Sequence, residues 1–268
     1  MRYLVYDVFT DRPFGGNPLA VFPDAVNLDP ALMQPIAREF GFSETTFLLP
    51  GDGEVRTRIF TPTQEIPFAG HPLIGALVAL HDEGAPEQVT LGTGVGPVPG
   101  RVVDGIASFR RETALEVLHA PDAALMARCL SIETITEATV TSAGLPFALV
   151  EVPDRATLSR TRPYLDAFRE AAARYPLPFD FAIYAYVRDG DTIHARMFAP
   201  LDDIPEDPAT GSAATALALY LAGNGTLSLT VHQGEDMGRP SLIRAEAADG
   251  AVTISGQAVR VMEGRLTL

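Results

Sequence analysis

Two segments of the chain are apolar on every side, and each begins at a small, glycine-containing turn. AGHPLIGALVAL spans Ala69–Leu80 and TGSAATALALYL spans Thr210–Leu221, and neither contains Asp, Glu, Lys or Arg. A surface helix needs a polar face, so helices of this composition belong in a core. The glycine at each start leaves backbone N–H groups and the positive end of the helix dipole open to an anion. Two buried helices offering their N-termini predict a two-lobed protein with one anion-binding cleft.

The sequence around the two helices recurs in the same order. PLAVFPD (Pro18–Asp24) echoes PFALVEVPD (Pro146–Asp154), and each is followed by an amphipathic helix candidate, from Pro30 and from Pro163. Strands TTFLL (Thr45–Leu49) and FAIYAYV (Phe181–Val187) come next. RTRIFTP (Arg56–Pro62) and HARMFAP (His194–Pro200) then lead into the apolar helices. Both halves finish in β-rich sequence with Asp-Gly turns, at Asp104-Gly105 and Asp249-Gly250. A duplicated unit of roughly 130 residues is near the size of one domain. The expected lobes are 1–115 and 116–268, with the boundary in RETALEVLHA and the last strand free to cross back to the first lobe. Short β-branched strands and few helices argue against a regular doubly wound sheet. An α+β architecture with a curved sheet wrapped around each apolar helix satisfies both observations.

The composition narrows the partners. With 268 residues, 47% of them hydrophobic, the chain can bury two ordinary cores. No apolar run approaches the ~18–20 residues that span a bilayer. Asp7 and Asp11 interrupt what would be the apolar core of a signal peptide. The single cysteine, Cys129, rules out an intrachain disulfide framework, and a cytoplasmic location is expected. A net charge of −14 disfavours binding to nucleic acid or anionic membranes. It leaves room for a small anionic substrate held by local dipoles.

Few residues could carry chemistry. Glu44, in FGFSETTFLL, sits between a helix and a strand with Phe42 and Phe47 beside it. It is either a solvated turn glutamate or a partly desolvated acid with a raised pKa. His71, in FAGHP, opens the first apolar helix, where it could cap, hydrogen-bond as a neutral ring or donate a proton. Asp207, in IPEDPATGSAA, could be a turn opener or a site carboxylate. The equivalent helix starts read GHP in one half and GS in the other, the divergence an asymmetric ligand would require. Arg239, in QGEDMGRPS, could pair with a substrate carboxylate or lie on a hairpin tip. The histidines lack metal-ligand spacing, and GTGVGPVPG (Gly92–Gly100) is not a nucleotide loop.

SETTF (Ser43–Phe47), FTPTQEIPFAGHPLIG (Phe60–Gly75), DPATGSAA (Asp207–Ala214), MGRPS (Met237–Ser241) and the opening VFTDRPFGGNPLAVF (Val8–Phe22) closely resemble the phenazine-biosynthesis isomerase (PhzF-like) family. The likeness runs through nearly the whole chain in the same order. It implies the diaminopimelate epimerase fold: two pseudo-symmetric lobes, each a β-barrel around a central helix. It also implies a homodimer that works without metal or organic cofactor. By the same resemblance, Glu44 shuttles a proton, and His71 and Asp207 assist and position the substrate. Gly70, Gly211 and Ser212 bind substrate polar groups at the helix N-termini. Related epimerases of this fold use two cysteines at these helix starts; His71 and Ser212 stand there instead, which removes a two-thiol mechanism. The expected activity is cofactor-independent proton relocation on a small cyclic or amino carboxylate. The alternatives are a non-thiol amino-acid epimerase or a binding protein with the same cleft.

Overall fold

The computed structural model of the chain describes residues 1–51 and 53–267. The first repeat runs through β1 (Arg2–Val8), β2 (Asn17–Phe22), α1 (Met33–Phe40), β3 (Glu44–Pro50), β4 (Val55–Phe60) and the short β5 (Glu65–Ile66). It then enters α2 (Gly70–Asp82) and leaves by β6 (Gln88–Thr93), β7 (Gly96–Val103) and β8 (Ile106–Glu112). A connection follows, with β9 (Glu116–His119) and α3 (Ala123–Cys129). The second repeat comprises β10 (Glu137–Ser142), β11 (Pro146–Glu151), α4 (Arg155–Arg160), α5 (Leu165–Arg174), β12 (Ile183–Asp189), β13 (Thr192–Ala199) and β14 (Ile204–Asp207). Next are α6 (Gly211–Ala222), β15 (Leu227–Gln233), β16 (Ser241–Ala248) and β17 (Ala251–Gly256), with β18 (Ala258–Arg265) last.

The pairings repeat with the elements. β2 runs parallel to β3 and β4 to β6, just as β11 runs parallel to β12 and β13 to β15. The Asp-Gly turns close two-residue hairpins, pairing Val103 with Ile106 and Ala248 with Ala251. Asp104, Gly105, Asp249 and Gly250 all have positive φ, the backbone that such hairpins demand. β8 and β17 pair antiparallel and join the lobes. Beyond that joint each chain crosses over: β9 pairs with β10, and β18 pairs with β1. Each lobe's ring of pairings therefore closes through the last strand of the other repeat. The fold is the two-lobed α+β architecture that the resemblance implied.

The apolar helices fill the barrels. Every residue from Gly70 to Ala79 in α2 and from Gly211 to Leu219 in α6 is buried. Both helices belong to one continuous core that includes the inward faces of both barrels. Each fully buried Leu, Ile or Val side chain contributes about 1.5–3 kcal/mol, so the helices hold the barrels as much as the barrels hold them. The amphipathic helices lie outside. α1 packs Met33 and Ile36 on Phe22 and Phe47, while α3 and α5 cover β11 and β12. Cys129 is fully buried in that outer core, where burial pushes its thiol up to about 12. Among the described residues, no helix is long and apolar enough to cross a membrane.

Candidate active site

The two helix starts meet in the middle of the molecule. A Cβ on Gly70 would lie 2.7 Å from the Cα of Gly211, and one on Gly211 would lie 3.0 Å from the Cα of Gly70. Both positions need glycine because the backbones touch.

Beside this contact lies a cavity of about 80 Å³ between the lobes. The first lobe supplies Ser43, Glu44, Thr61, Gln64 and Ile66; the second supplies Asp207, Thr210 and Ser212 at the start of α6. Leu145, Phe147, Phe179, Ala182 and Met197 form an apolar wall on the second-lobe side. The cavity is small beside the roughly 300–1,000 Å³ that ligand pockets usually enclose. The Thr63 hydroxyl of the first lobe donates to Asp202, a cavity-lining residue of the second. Four carboxyl groups line the space, those of Glu44, Asp180, Asp202 and Asp207. Among the described residues, no Lys, Arg or His does so. The N-terminus of α6 is the positive pole left for an anion.

Glu44 opens β3, where the parallel register with β2 sets it opposite Leu19. Its side chain is 14% exposed, and its Oε2 is buried without a hydrogen-bond partner. Desolvation, with Asp207 adding like charge, raises its pKa well above the usual carboxylate range. His71 sits 3.4 Å away, Nδ1 to Oε2, with its side chain 3% exposed. Burial lowers its pKa to about 3, so the contact joins a neutral imidazole to the carboxyl and is not an ion pair.

Asp207 ends β14 and is better provided. Asn17 Nδ2 donates to its Oδ1 at 2.8 Å, and the Thr210 hydroxyl donates to its Oδ2 at 2.5 Å. Burial still raises its pKa, to about 6. Behind it, Gln233 Nε2 donates to the Asp207 carbonyl at 2.8 Å and to Thr210 Oγ1 at 2.9 Å. The Gln233 carbonyl accepts from Thr210 N and from the Tyr184 hydroxyl, both at 3.2 Å. This buried, satisfied network fixes the turn into α6.

The residues singled out from the sequence thus fall into three groups. Glu44, Asp207 and Ser212 line the cavity. Gly70, Gly211 and His71 lie next to it without lining it: the glycines pack on each other, and His71 touches Glu44 and Asn17. Arg239 is elsewhere. It pairs with Asp7 at 2.6 Å and donates to the carbonyls of Gly15 and Gly16, tying the 12–16 loop to the second lobe. Arg239 does not line this cavity, and its Nε and Nη2 are held by partners far back in the chain, whereas the sequence offered a substrate carboxylate or a hairpin tip. Asn17, Gln233 and the apolar wall were not singled out. Asn17 lies within the family-like opening motif, but only the folded chain brings it to Asp207.

The family model for phenazine biosynthesis-like proteins, PhzC-PhzF, matches residues 6–264. An uncharacterized isomerase of Mesorhizobium japonicum is 37% identical over 99% of this chain and 98% of its own length. The trans-2,3-dihydro-3-hydroxyanthranilate isomerase of Pseudomonas aeruginosa is 36% identical over 100% of this chain and 99% of its own. Among solved structures, a phenazine biosynthesis protein of the PhzF family from Bacillus anthracis superposes with a TM-score of 0.89 at 25% identity, covering 100% of this chain and 99% of that one.

Proposed function

The chain belongs to the phenazine biosynthesis-like (PhzC-PhzF) family, and from that and the site we propose that it is an isomerase that relocates a proton on a small cyclic or amino carboxylate, with Glu44 as the carrier. The observation that carries the reading is Glu44 itself. It is a cavity-lining carboxyl whose Oε2 is buried without a partner, with no cation lining the same space among the described residues.

The substrate carboxylate sits at the α6 N-terminus, against Thr210 and Ser212, where the helix dipole and backbone N–H groups favour negative charge. The apolar wall of Phe147, Phe179 and Met197 packs a flat carbon skeleton against the carboxyl side of the cavity. Glu44, ionised, takes a proton from a carbon beside a conjugated system. The electron pair left behind spreads through that system toward the carboxylate and the helix end. Glu44 then returns the proton to a different carbon, so the double bonds shift and nothing is oxidised or reduced. The lobes slow exchange of the proton on Glu44 without preventing it, so in D₂O part of the hydrogen delivered to the new carbon is deuterium.

Because Glu44 and Asp207 face one cavity from different lobes, two-base epimerisation is the second reading. Proton NMR of dihydro-hydroxyanthranilate and a panel of amino and hydroxy carboxylates in D₂O tests both. Deuterium entering one new carbon with wild type and not with Glu44→Gln is the expected result. Exchange at the original carbon with loss of optical rotation assigns epimerisation, and exchange that survives Glu44→Gln overturns the role of Glu44. General acid–base groups supply about 10²–10⁴-fold, which sets the expected loss in the Gln variant.

A further inference from the structure

Asn17 opens β2 in the first lobe and is fully buried, yet its amide reaches across to the second. Nδ2 lies 2.8 Å from Asp207 Oδ1, 3.0 Å from the Ala209 carbonyl and 3.3 Å from His71 Nδ1, while Oδ1 accepts from the Ser43 hydroxyl at 3.0 Å. The amide orientation is forced. Turned around, its oxygen would face the Ala209 carbonyl, which has no proton to give, at 3.0 Å. In the observed orientation two hydrogens face three acceptors, and the two shorter contacts take them. In the tautomer that carries its proton on the unpartnered Nε2, His71 Nδ1 receives neither hydrogen, and Glu44 Oε2, itself without a hydrogen-bond partner, stands 3.4 Å away.

We propose that Asn17 is a positioning residue that decides which of the two facing carboxyls carries a proton: by donating to Asp207 it keeps that group ionised, and by leaving His71 Nδ1 free it gives the protonated Glu44 an acceptor. This deepens the isomerase reading, because a carrier must hold its proton while a second carboxylate beside it stays charged. Other groups around the pair reinforce the need for such a device. Asp202 adds negative charge near Glu44 and Glu206 near Asp207. The buried Tyr184 hydroxyl remains neutral, its pKa raised by desolvation. Burial alone raises the proton affinity of both carboxyls and does not choose between them. The Asn17 and Thr210 donors fall on one side only.

Carbon-13 NMR of the side-chain carboxyls, titrated in the absence of substrate and assigned with Glu44→Gln and Asp207→Asn, tests this without requiring turnover. In wild type, Asp207 ionises at lower pH than Glu44. In Asn17→Ala the Asp207 midpoint moves up by about one pH unit or more, and the order narrows or inverts. Should the Ala variant not fold, Asn17→Ser serves, because it removes the amide donor and leaves Ser43, which lowers the proton affinity of both carboxyls, in place; the same upward shift at Asp207 is expected. Unchanged midpoints in a folded variant, or Glu44 ionising first in wild type, overturn the proposal. The expected order of ionisation without deuterium exchange would overturn the isomerase reading and leave the role of Asn17 standing.

Discussion

At Glu44, the burial that raises proton affinity also costs the fold. An ionised Glu44 is required to accept the substrate proton, and its pKa lies well above 4.5. The acidic limb of kcat/KM should therefore fall above the ordinary carboxylate range, with activity rising as Glu44 ionises. A limb at an unperturbed carboxylate value, measured with a substrate whose own groups do not titrate there, would contradict this. Stability runs the opposite way. A group whose folded pKa is raised contributes stability below its unfolded value and loses it as pH climbs through the folded value. Thermal midpoints of wild type and Glu44→Gln, compared from about pH 4 to about pH 8, should move in favour of the variant as pH rises. A constant difference would mean that Glu44 is not desolvated.

Between elements, the tightest constraint is the contact of α2 and α6 at their first residues. In Gly70→Ala, the new methyl would meet the Gly211 Cα at 2.7 Å, and backbone cannot swing aside as a side chain can. Overpacking of this kind costs about 1–3 kcal/mol. Denaturant melts should show that loss, together with a raised KM as the helix starts spread; a variant as stable and active as wild type would mean that the helices are free to separate. These helices were legible in the sequence because composition alone dictates their burial, and the glycines because they open both. Glu44 and Asp207 were legible as motif carboxyls. What spacing could not reveal was pairing at a distance. Asn17 finds Asp207 across 190 positions, and Arg239 finds Asp7 across 232. A buried asparagine in FGGNP reads like any turn residue until its partner arrives. An arginine in a glycine-rich turn looks free until its carboxylate is found.

Across the whole molecule, the duplication explains why the cavity is chemically lopsided. IPFAGH at 66–71 aligns with DPATGS at 207–212, so Ile66 is the counterpart of Asp207 and His71 that of Ser212. The strand registers make Ala182 the counterpart of Glu44 and Leu145 that of Asn17. At these paired positions each lobe thus keeps its carboxyl where the other does not, and Ile66, Ala182 and Leu145 put apolar surface at the equivalent places in the same cavity. Such a site depends on the lobes holding one relative placement, and the crossing strands supply it. β17 and β18 span from β8 to β1, and β8 and β9 span from β17 to β10. Neither barrel is complete without the other repeat, since removing one half leaves the unpaired edges that favour aggregation. Fragments 1–115 and 116–268 expressed separately should therefore give poorly dispersed amide spectra, and mixing them should restore dispersion. The intact chain should melt in one transition, with calorimetric and van't Hoff enthalpies equal. Two resolved transitions, or a dispersed spectrum from either fragment alone, would show that the lobes fold independently and that the shared strands only decorate the joint.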